Sequence, residues 1–537
     1  MTTVPQPLPT DRTQLLQQLA KNQRYDIAIV GGGATGLGVA LDAASRGLRV
    51  VLIESHDFAH GTSSRSTKLV HGGVRYLAQG NVGLVREALH ERAVMLRNAP
   101  HLAQPLPFVM PSYRWWEVPF YGAGLKLYDV MAGRAGLGRT ECLSPAEALM
   151  QLPNLRAQGL KGGVQYWDGQ FDDARFALAL ARTAALHGAL LINHCRATDL
   201  IYAADKVTGV VCQDQFTSQT YEVRSPCVVN ATGVWVDALR QRDDSVVPAT
   251  AGQVVRPLVS PSQGVHLVVN PEFLNSQSAM MVPRTGDGRV LFAVPWLGKV
   301  ILGTTDTPRN DLARDPLPFD DEIEFILRES KYYLRSAPQR EDVKSTWVGL
   351  RPLVKRTQDV EGHTKRLSRE HTIAVSRSGL VSVAGGKWTT YRAMAQEVLN
   401  VCQANQLIHG SARSRTEHLK LIGVDATHVP QPLCHAPGWH SYGAETPFVK
   451  TLPGADAYIA PGFTRAMVCF AVRYEYARTV EDVLARRSRM LFLDAALACE
   501  VAPTVAGLLE RETGVDPQEA SFLALTQQYL LKHHKKS

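Results

Sequence analysis

The sequence predicts an α/β and α+β protein: a discontinuous Rossmann-like nucleotide domain, an antiparallel-sheet domain and a helical C-terminal domain. Three observations predict it. Residues 25–54, YDIAIVGGGATGLGVALDAASRGLRVVLIE, read strand, glycine turn, helix, strand, acid. Residues 380–398, LVSVAGGKWTTYRAMAQEV, repeat strand, Gly-Gly and helix far along the chain. Between them, residues 265–305 alternate short apolar runs (VHLVV, MMVP, VLFAVPW, VILGTT) with turns, a mostly antiparallel β pattern.

In order, residues 1–24 read as a flexible lead and a short helix. The apolar run 27–30 reads as a buried parallel strand. It meets Gly31, Gly33 and Gly36 in G-x-G-x-x-G spacing, with a helical pattern through Arg46 and a second strand ending on Glu54. Gly31 suits the tight turn, Gly33 the backbone approach to a pyrophosphate, and Gly36 the packing of helix on strand. The helix N-terminus offers free N–H groups to phosphate. Glu54 stands where a carboxylate accepts from a ribose 2′-OH, so the motif points to an adenine dinucleotide without a 2′-phosphate. Residues 83–97 read as an amphipathic helix, broken by the proline-rich stretch 100–111. Residues 115–137 mix aromatic, small and basic residues. A helix at 176–187 precedes a strand at 190–193, and 207–212 with 220–223 read as a hairpin. Residues 228–233, VVNATG, read as another buried strand entering a glycine turn. A helix is predicted over 320–335, a linker near 403–416, and a helical remainder ending in the basic tail Lys532–Lys536.

A nucleotide unit at the start and a second glycine turn near residue 385 place one domain on both sides of a β-rich insertion. That order suits FAD, which lies extended with the second turn near the flavin. The expected division is an extension at 1–24; an FAD-binding domain at 25–80, 160–255 and 350–402; a substrate or cap domain at 81–159 and 256–349; and a helical domain at 403–537.

The bulk composition, 45% hydrophobic and 20% charged over 537 residues, is that of a folded multidomain chain. The 8 cysteines contain no C-x-x-C pair, so no zinc site or disulfide framework is expected, and the usage suits a reducing cytosol. No signal-peptide core and no apolar stretch of spanning length is found. A net charge of +8 suits an anionic partner such as phosphate or a lipid headgroup. No basic stripe with interleaved aromatics supports nucleic-acid binding.

The candidate chemistry lies in four places. Residues 62–76, TSSRSTKLVHGGVRY, crowd hydroxyls, cations and an imidazole directly after the second strand. Hydroxyls and a lysine suit pyrophosphate oxygens, and a histidine before two glycines suits a position beside a flavin. His266 starts a strand in SQGVHLVV. Arg351 lies in VGLRPL, where Pro352 biases it toward extended backbone. Lys387 opens the helix in GGKWTTYR, and Arg369 in LSREHTI is a further cation. Several cations converging on a flavin imply an anionic substrate, with charge-assisted bonds to phosphate contributing roughly 1.5–3 kcal/mol each.

These stretches resemble the FAD-dependent glycerol-3-phosphate dehydrogenases of the respiratory, quinone-linked type. The resemblance is carried by IVGGGATGLGVALDAASRGLRVVLIE, GTSSRSTKLVHGGVRYL, VVNATGVWVD, ILGTTDT, GLRPL, VAGGKWTTYR, YGAE and FAVRYEYARTVEDVLARRSRM. The blocks around residues 62–77 and 474–489 are specific to this family, and Ser66-Thr67 stands where the family more often has two serines. The resemblance implies FAD on Gly31, Gly33, Gly36, Glu54, Thr62, Ser63, Lys68, His71, Gly72, Ala231, Thr232, Gly233, Gly385 and Gly386. It implies sn-glycerol 3-phosphate held by Arg75, Tyr76, Arg369 and Thr390, with His266, Arg351 and Lys387 catalytic. His266 is the leading base candidate because a neutral imidazole acts near pH 7. A lysine with a lowered pKa would serve as well, and the sequence leaves the base open.

The resemblance further implies that electrons pass to a membrane quinone. The expected location is therefore cytoplasmic, peripheral to the inner face of the cytoplasmic membrane. Trp115, Trp116, Phe120 and Tyr121 with Arg114 and Lys126 form a candidate interfacial patch, a buried helix being the alternative. The rival activities are an oxidase using oxygen and, more remotely, an amine or amino-acid oxidase of the same flavin fold. The ion-pair spacing of residues 474–489, such as Glu481 with Arg486, reads as a solvated or packed helix face whose role is dimerisation or support of the flavin domain.

Overall fold

The computed structural model describes residues 6–21, 24–73, 81–248, 256–286, 288–355, 371–410, 412–425 and 429–531. A six-stranded sheet runs in the order His371–Val375, Val381–Gly385, Val228–Asn230, Ile27–Val30, Val50–Ile53, Leu190–Ile192. Its neighbours are parallel except the first pair. The central strands are buried at every residue, which is why they read as unbroken apolar runs. Helices Ala34–Ser45, Asp173–Leu186 and Tyr391–Ala404 share one core with this sheet through Leu37, Phe176 and Val398. Strands from both ends of the chain therefore build one nucleotide fold.

A second sheet of ten strands runs from Thr307–Pro308 through Val259–Val269, Lys299–Gly303, Leu291–Trp296, Ala279–Val282, Ala103–Ser112 and Gly162–Phe171 to Leu69–Val70. Ser345–Val354 pairs antiparallel along Val259–Val269, and Glu141–Leu143 pairs with Gly162–Phe171. One expectation is corrected here. Gly162–Phe171, assigned from sequence to the nucleotide domain, pairs in this sheet. The helix Val82–Asn98 ends before the stretch 100–111 as expected, and that stretch then enters the strand Ala103–Ser112. Pro105, Pro107 and Pro111 share one parity, so none is asked to donate to Gly162–Phe171. Their other side meets only a short parallel partner at Phe108 and Val109. The expected hairpin at 207–223 gains a third strand, Cys195–Ala203.

The helix Asp320–Tyr333 covers one face of the large sheet through Ile323, Phe325 and Ile326. The C-terminal helices Arg465–Tyr474, Ala495–Thr513 and Glu519–Tyr529 cover the other, sharing a core with Trp296 and Trp347. The segment expected as an ion-paired helix face is a π-helical turn, Asp482–Arg487, buried at every residue. Arg486 Nη1 does reach Glu481, at 2.6 Å.

Candidate functional site

The glycine turn opens a cleft of about 470 Å³ at the C-terminal ends of the parallel strands, lined in part by Gly31, Gly33, Glu54, Thr62, Ala231 and Gly233. Gly31 has φ +109°, and a Cβ there would lie against the carbonyl of Ala231 on the neighbouring strand. A Cβ at Gly36 would overlap the carbonyl oxygen of Gly31, so Gly36 supports the turn from behind. The neighbouring Gly32, which the motif treats as a spacer, is equally constrained by Phe58 and Glu54. Glu54 accepts from Gly32 N at 2.6 Å and from His56 N at 2.8 Å, so the carboxylate first shapes the turn and then faces the cleft. Thr232 and Ser63 also line it. Ser63 Oγ accepts from Ala34 N at 2.9 Å, giving the dinucleotide helix the cap that its own Gly33 lacks. A glycine-lined stretch of backbone beside a helix N-terminus and a carboxylate suits the diphosphate and ribose of an adenine dinucleotide.

Thr62–Ser64 is a 3-10 turn joined to both remaining parts of the site. Thr62 Oγ1 donates to Leu350 O at 2.6 Å, beside Arg351. Trp388 Nε1 donates to Ser63 O at 2.8 Å, directly after Lys387. Gly385 and Gly386, at φ +79° and +81°, form the turn that leads into Trp388. Thr389 Oγ1 donates to His71 O at 3.5 Å, which brings His71 to the same end. Gly72 is a steric requirement: a Cβ would overlap the Tyr128 hydroxyl, and its N–H reaches Asp168 Oδ1 at 3.2 Å. Thr390 Oγ1 donates to Lys387 O at 3.3 Å, at the start of the final helix.

Lys68 corrects the sequence reading. Its ammonium is 0% exposed, bonded to Asp173 Oδ2 at 2.7 Å and Ser64 O at 2.6 Å, and ringed by Trp296, Trp347 and Phe492. It lies behind the turn, where no phosphate reaches it. Burial pushes its pKa down to about 7 against the pull of Asp173.

On the large sheet, Arg351 stands opposite Ser262, and His266 opposite Trp347. The Arg351 guanidinium donates to Thr304 Oγ1 at 3.1 Å and Gln263 O at 3.2 Å, and lies 3.4 Å from Asp306. His266 stacks on Trp347 with ring centroids 5.3 Å apart. Its Nε2 lies 2.9 Å from Thr67 Oγ1, while its buried Nδ1 has no hydrogen-bond partner among the described residues. Burial, then the charges of Lys68 and Arg351, hold the imidazole well below its ordinary pKa. The group is neutral but weakly basic while the site holds no anion. Arg75, Tyr76 and Arg369 lie outside the described residues.

Sequence reasoning missed the residues behind the site. Arg489 donates to Ser64 O at 2.9 Å and to Asp173 Oδ1 at 3.1 Å, across more than 300 residues of chain. Arg486 and Arg487 both pair with the fully buried Asp57. The ion-pair spacing of 481–486 was the one local signal. Asp57, His194 and Asp482 lie close enough to hold a metal ion, but these arginines already neutralise their carboxylates.

Residues 26–392 match the family model described as FAD dependent oxidoreductase, and residues 414–520 that of the C-terminal domain of alpha-glycerophosphate oxidase. The mitochondrial glycerol-3-phosphate dehydrogenase of Homo sapiens is 39% identical over 548 residues, covering 95% of this chain and 73% of its own. That of Schizosaccharomyces pombe is 37% identical, with 96% and 88% covered. Among solved structures, the glycerol-3-phosphate dehydrogenase from Bacillus halodurans complexed with FAD superposes with TM-score 0.75 at 28% identity, covering 97% of this chain and 98% of that one. The L-alpha-glycerophosphate oxidase from Mycoplasma pneumoniae shares the fold, with TM-score 0.56 at 18% identity over 74% of this chain and 99% of that one.

Proposed function

The chain belongs to the FAD-dependent oxidoreductases and, within them, to the glycerol-3-phosphate dehydrogenases, and from that premise we propose how its residues oxidise sn-glycerol 3-phosphate to dihydroxyacetone phosphate. When bound, FAD would supply the two-electron acceptor for the hydride that leaves C2. The observation that carries the reading is the double tie of the Thr62–Ser64 turn, to the Arg351 strand on one side and to the Lys387 turn on the other. It gathers cations and an imidazole at the end of the dinucleotide cleft where the second glycine turn stands. Gly31, Gly33, Glu54, Ser63 and Thr232 would hold the adenosine diphosphate half, and Gly385, Gly386, His71 and Gly72 would hold the flavin end.

Arg351 and Lys387 stabilise the alkoxide that develops as the C2 hydroxyl loses its proton. The phosphate dianion is gripped by Arg75 and Arg369, with Tyr76 and Thr390 beside it. His266 accepts the C2 hydroxyl proton. Burial is the main cause of its depressed pKa, and a dianion brought beside Arg351 and the imidazole offsets part of the positive charge that adds to it, so the substrate itself raises the basicity of the ring.

Electrons then pass to a membrane quinone. The helix Glu117–Ala132 supports interfacial attachment: Trp115 is 80% exposed, Phe120 65% and Val130 77%, with Leu127 at 52% along the same side. Arg114 and Lys126 are also exposed beside them. No helix among the described residues is long and apolar enough to cross a membrane. We place the enzyme at the inner face of the cytoplasmic membrane.

The test is an anaerobic absorbance scan before and after adding sn-glycerol 3-phosphate. The visible flavin band is expected to bleach, and Arg351→Ala to bleach on the order of a hundredfold more slowly through lost transition-state stabilisation. A band that stays oxidised overturns the substrate. The rate of recolouring in air then separates quinone-linked dehydrogenase from oxidase.

A further inference from the structure

The cleft has a rim that the dinucleotide motif does not account for. Residues 309–319 run from the sheet to the helix Asp320–Tyr333 and border the cleft through Arg314, which contributes to its lining. This strap is tied along its length. Arg309 N donates to Pro261 O at 3.0 Å, and the Arg309 guanidinium reaches Gln263 and Leu317 O. Trp235 Nε1 donates to Leu312 O at 3.1 Å. The buried Arg65, next in chain to the Thr62–Ser64 turn, donates to Arg314 O at 3.0 Å and pairs with Asp315. The strap is therefore fastened to both walls of the cleft.

Its outward product is one guanidinium. Arg314 stacks on the Trp235 indole with its carbon 3.9 Å from the ring centroid. The guanidinium forms no hydrogen bond or ion pair among the described residues. Stacking occupies the plane of the group and leaves its N–H edge open. The indole in turn stands against Gly61, where a Cβ would meet its ring at 3.2 Å, and Glu54 is the acid whose charge Arg314 feels most. The cation thus lies between the carboxylate that faces the ribose and the turn that faces the diphosphate.

We infer that Arg314, held on Trp235 by the 309–319 strap, is a cofactor-retaining residue whose guanidinium closes over the diphosphate and adjoining ribose of bound FAD. The inference rests on the FAD reading above. A diphosphate brings two negative charges into a cleft whose lining offers backbone donors, one carboxylate and the cations Arg196 and Arg242 as well as Arg314. Among these cations Arg314 is the one that the strap and the Trp235 stack hold at the rim, adding countercharge from outside. Release of FAD then requires that contact to break.

The test follows flavin released from the holoprotein after dilution, by the fluorescence of free FAD, at low and at high salt. Arg314→Gln is expected to release FAD about tenfold to a hundredfold faster at low salt, the range for losing one charge-assisted bond. Arg314→Lys, which keeps charge but loses the fork and the flat stack, should fall between. High salt should narrow the gap between Arg314→Gln and wild type, since an exposed cation is screened. Release of FAD from Arg314→Gln at the wild-type rate at low salt overturns the inference. So does a gap that salt leaves unchanged, because the effect would then be steric. A wild-type protein that yields no flavin on denaturation would instead defeat the FAD reading itself.

Discussion

Burial beside Lys68 and Arg351 holds the His266 imidazole well below its ordinary pKa of 6.5, and this carries a stability signature. In the unfolded chain the ring titrates normally, so below about pH 6.5 the unfolded state binds a proton that the folded state refuses. The folded pKa is the depressed one, so the contribution is complete above 6.5 and is lost as pH falls. The loss is up to about 1.4 kcal/mol per pH unit for one such group. His101, pushed down to about 3 by burial, acts in the same direction. The melting temperature of wild type should therefore fall between pH 7 and 5, and that of His266→Gln should fall less steeply. Parallel slopes in the two proteins would show that the ring titrates freely when folded. At this scale the sequence displayed which residue types gather, but not which way they face. Lys68 reads as a phosphate ligand because lysine among hydroxyls usually is exposed. Its partner Asp173 lies 105 positions away, beyond any local pattern.

The helix Glu117–Ala132 shows what an element adds. Its inner face buries Gly122, Leu125, Tyr128 and Ala132, while Trp115, Phe120, Leu127 and Val130 stand out in water. Apolar groups on both sides explain why composition left a buried helix and an interfacial one equally open, since only packing decides which side is covered. Placing Phe120 at an interface contributes about 1.5–3 kcal/mol. A Trp115→Glu, Phe120→Glu double variant should therefore bind anionic vesicles at least tenfold more weakly in a sedimentation assay. It should keep its rate with a soluble dye acceptor, because neither residue lines the cleft. Unchanged vesicle binding would remove this helix from the membrane contact. The nucleotide strands were the most legible elements: a parallel sheet buried on both faces leaves no ambiguity of period. The strand Ala103–Ser112 was the least legible, since proline usually ends a strand and here all three residues fall on the side that needs no donors.

Across the whole molecule, the C-terminal domain holds the floor of a cleft to which it contributes no lining residue. Two cations from distant parts of the chain, Lys68 and Arg489, both donate to Ser64 O and both pair with Asp173. Ser64 directly follows the residues that line the cleft. The discontinuous nucleotide domain was legible because each half carries its own glycine turn, whereas this support was not, being made of single charges that meet only after the C-terminal helices cover the large sheet. Arg489→Met keeps much of the apolar bulk against Trp296 and Phe492 but leaves Asp173 with one cation. Breaking a buried pair this way destabilises by about 3–5 kcal/mol. A lowered melting temperature alone would not distinguish support of the cofactor from general damage. Leu509→Ala supplies the comparison: it opens a cavity in the same C-terminal core, at a cost of about 2–5 kcal/mol, without touching Ser64. Both variants should melt earlier. At room temperature, where both remain folded by circular dichroism, Arg489→Met should shed FAD on dilution while Leu509→Ala retains it. Equal retention by the two would mean that the C-terminal domain stabilises the fold without positioning the turn beneath the cofactor.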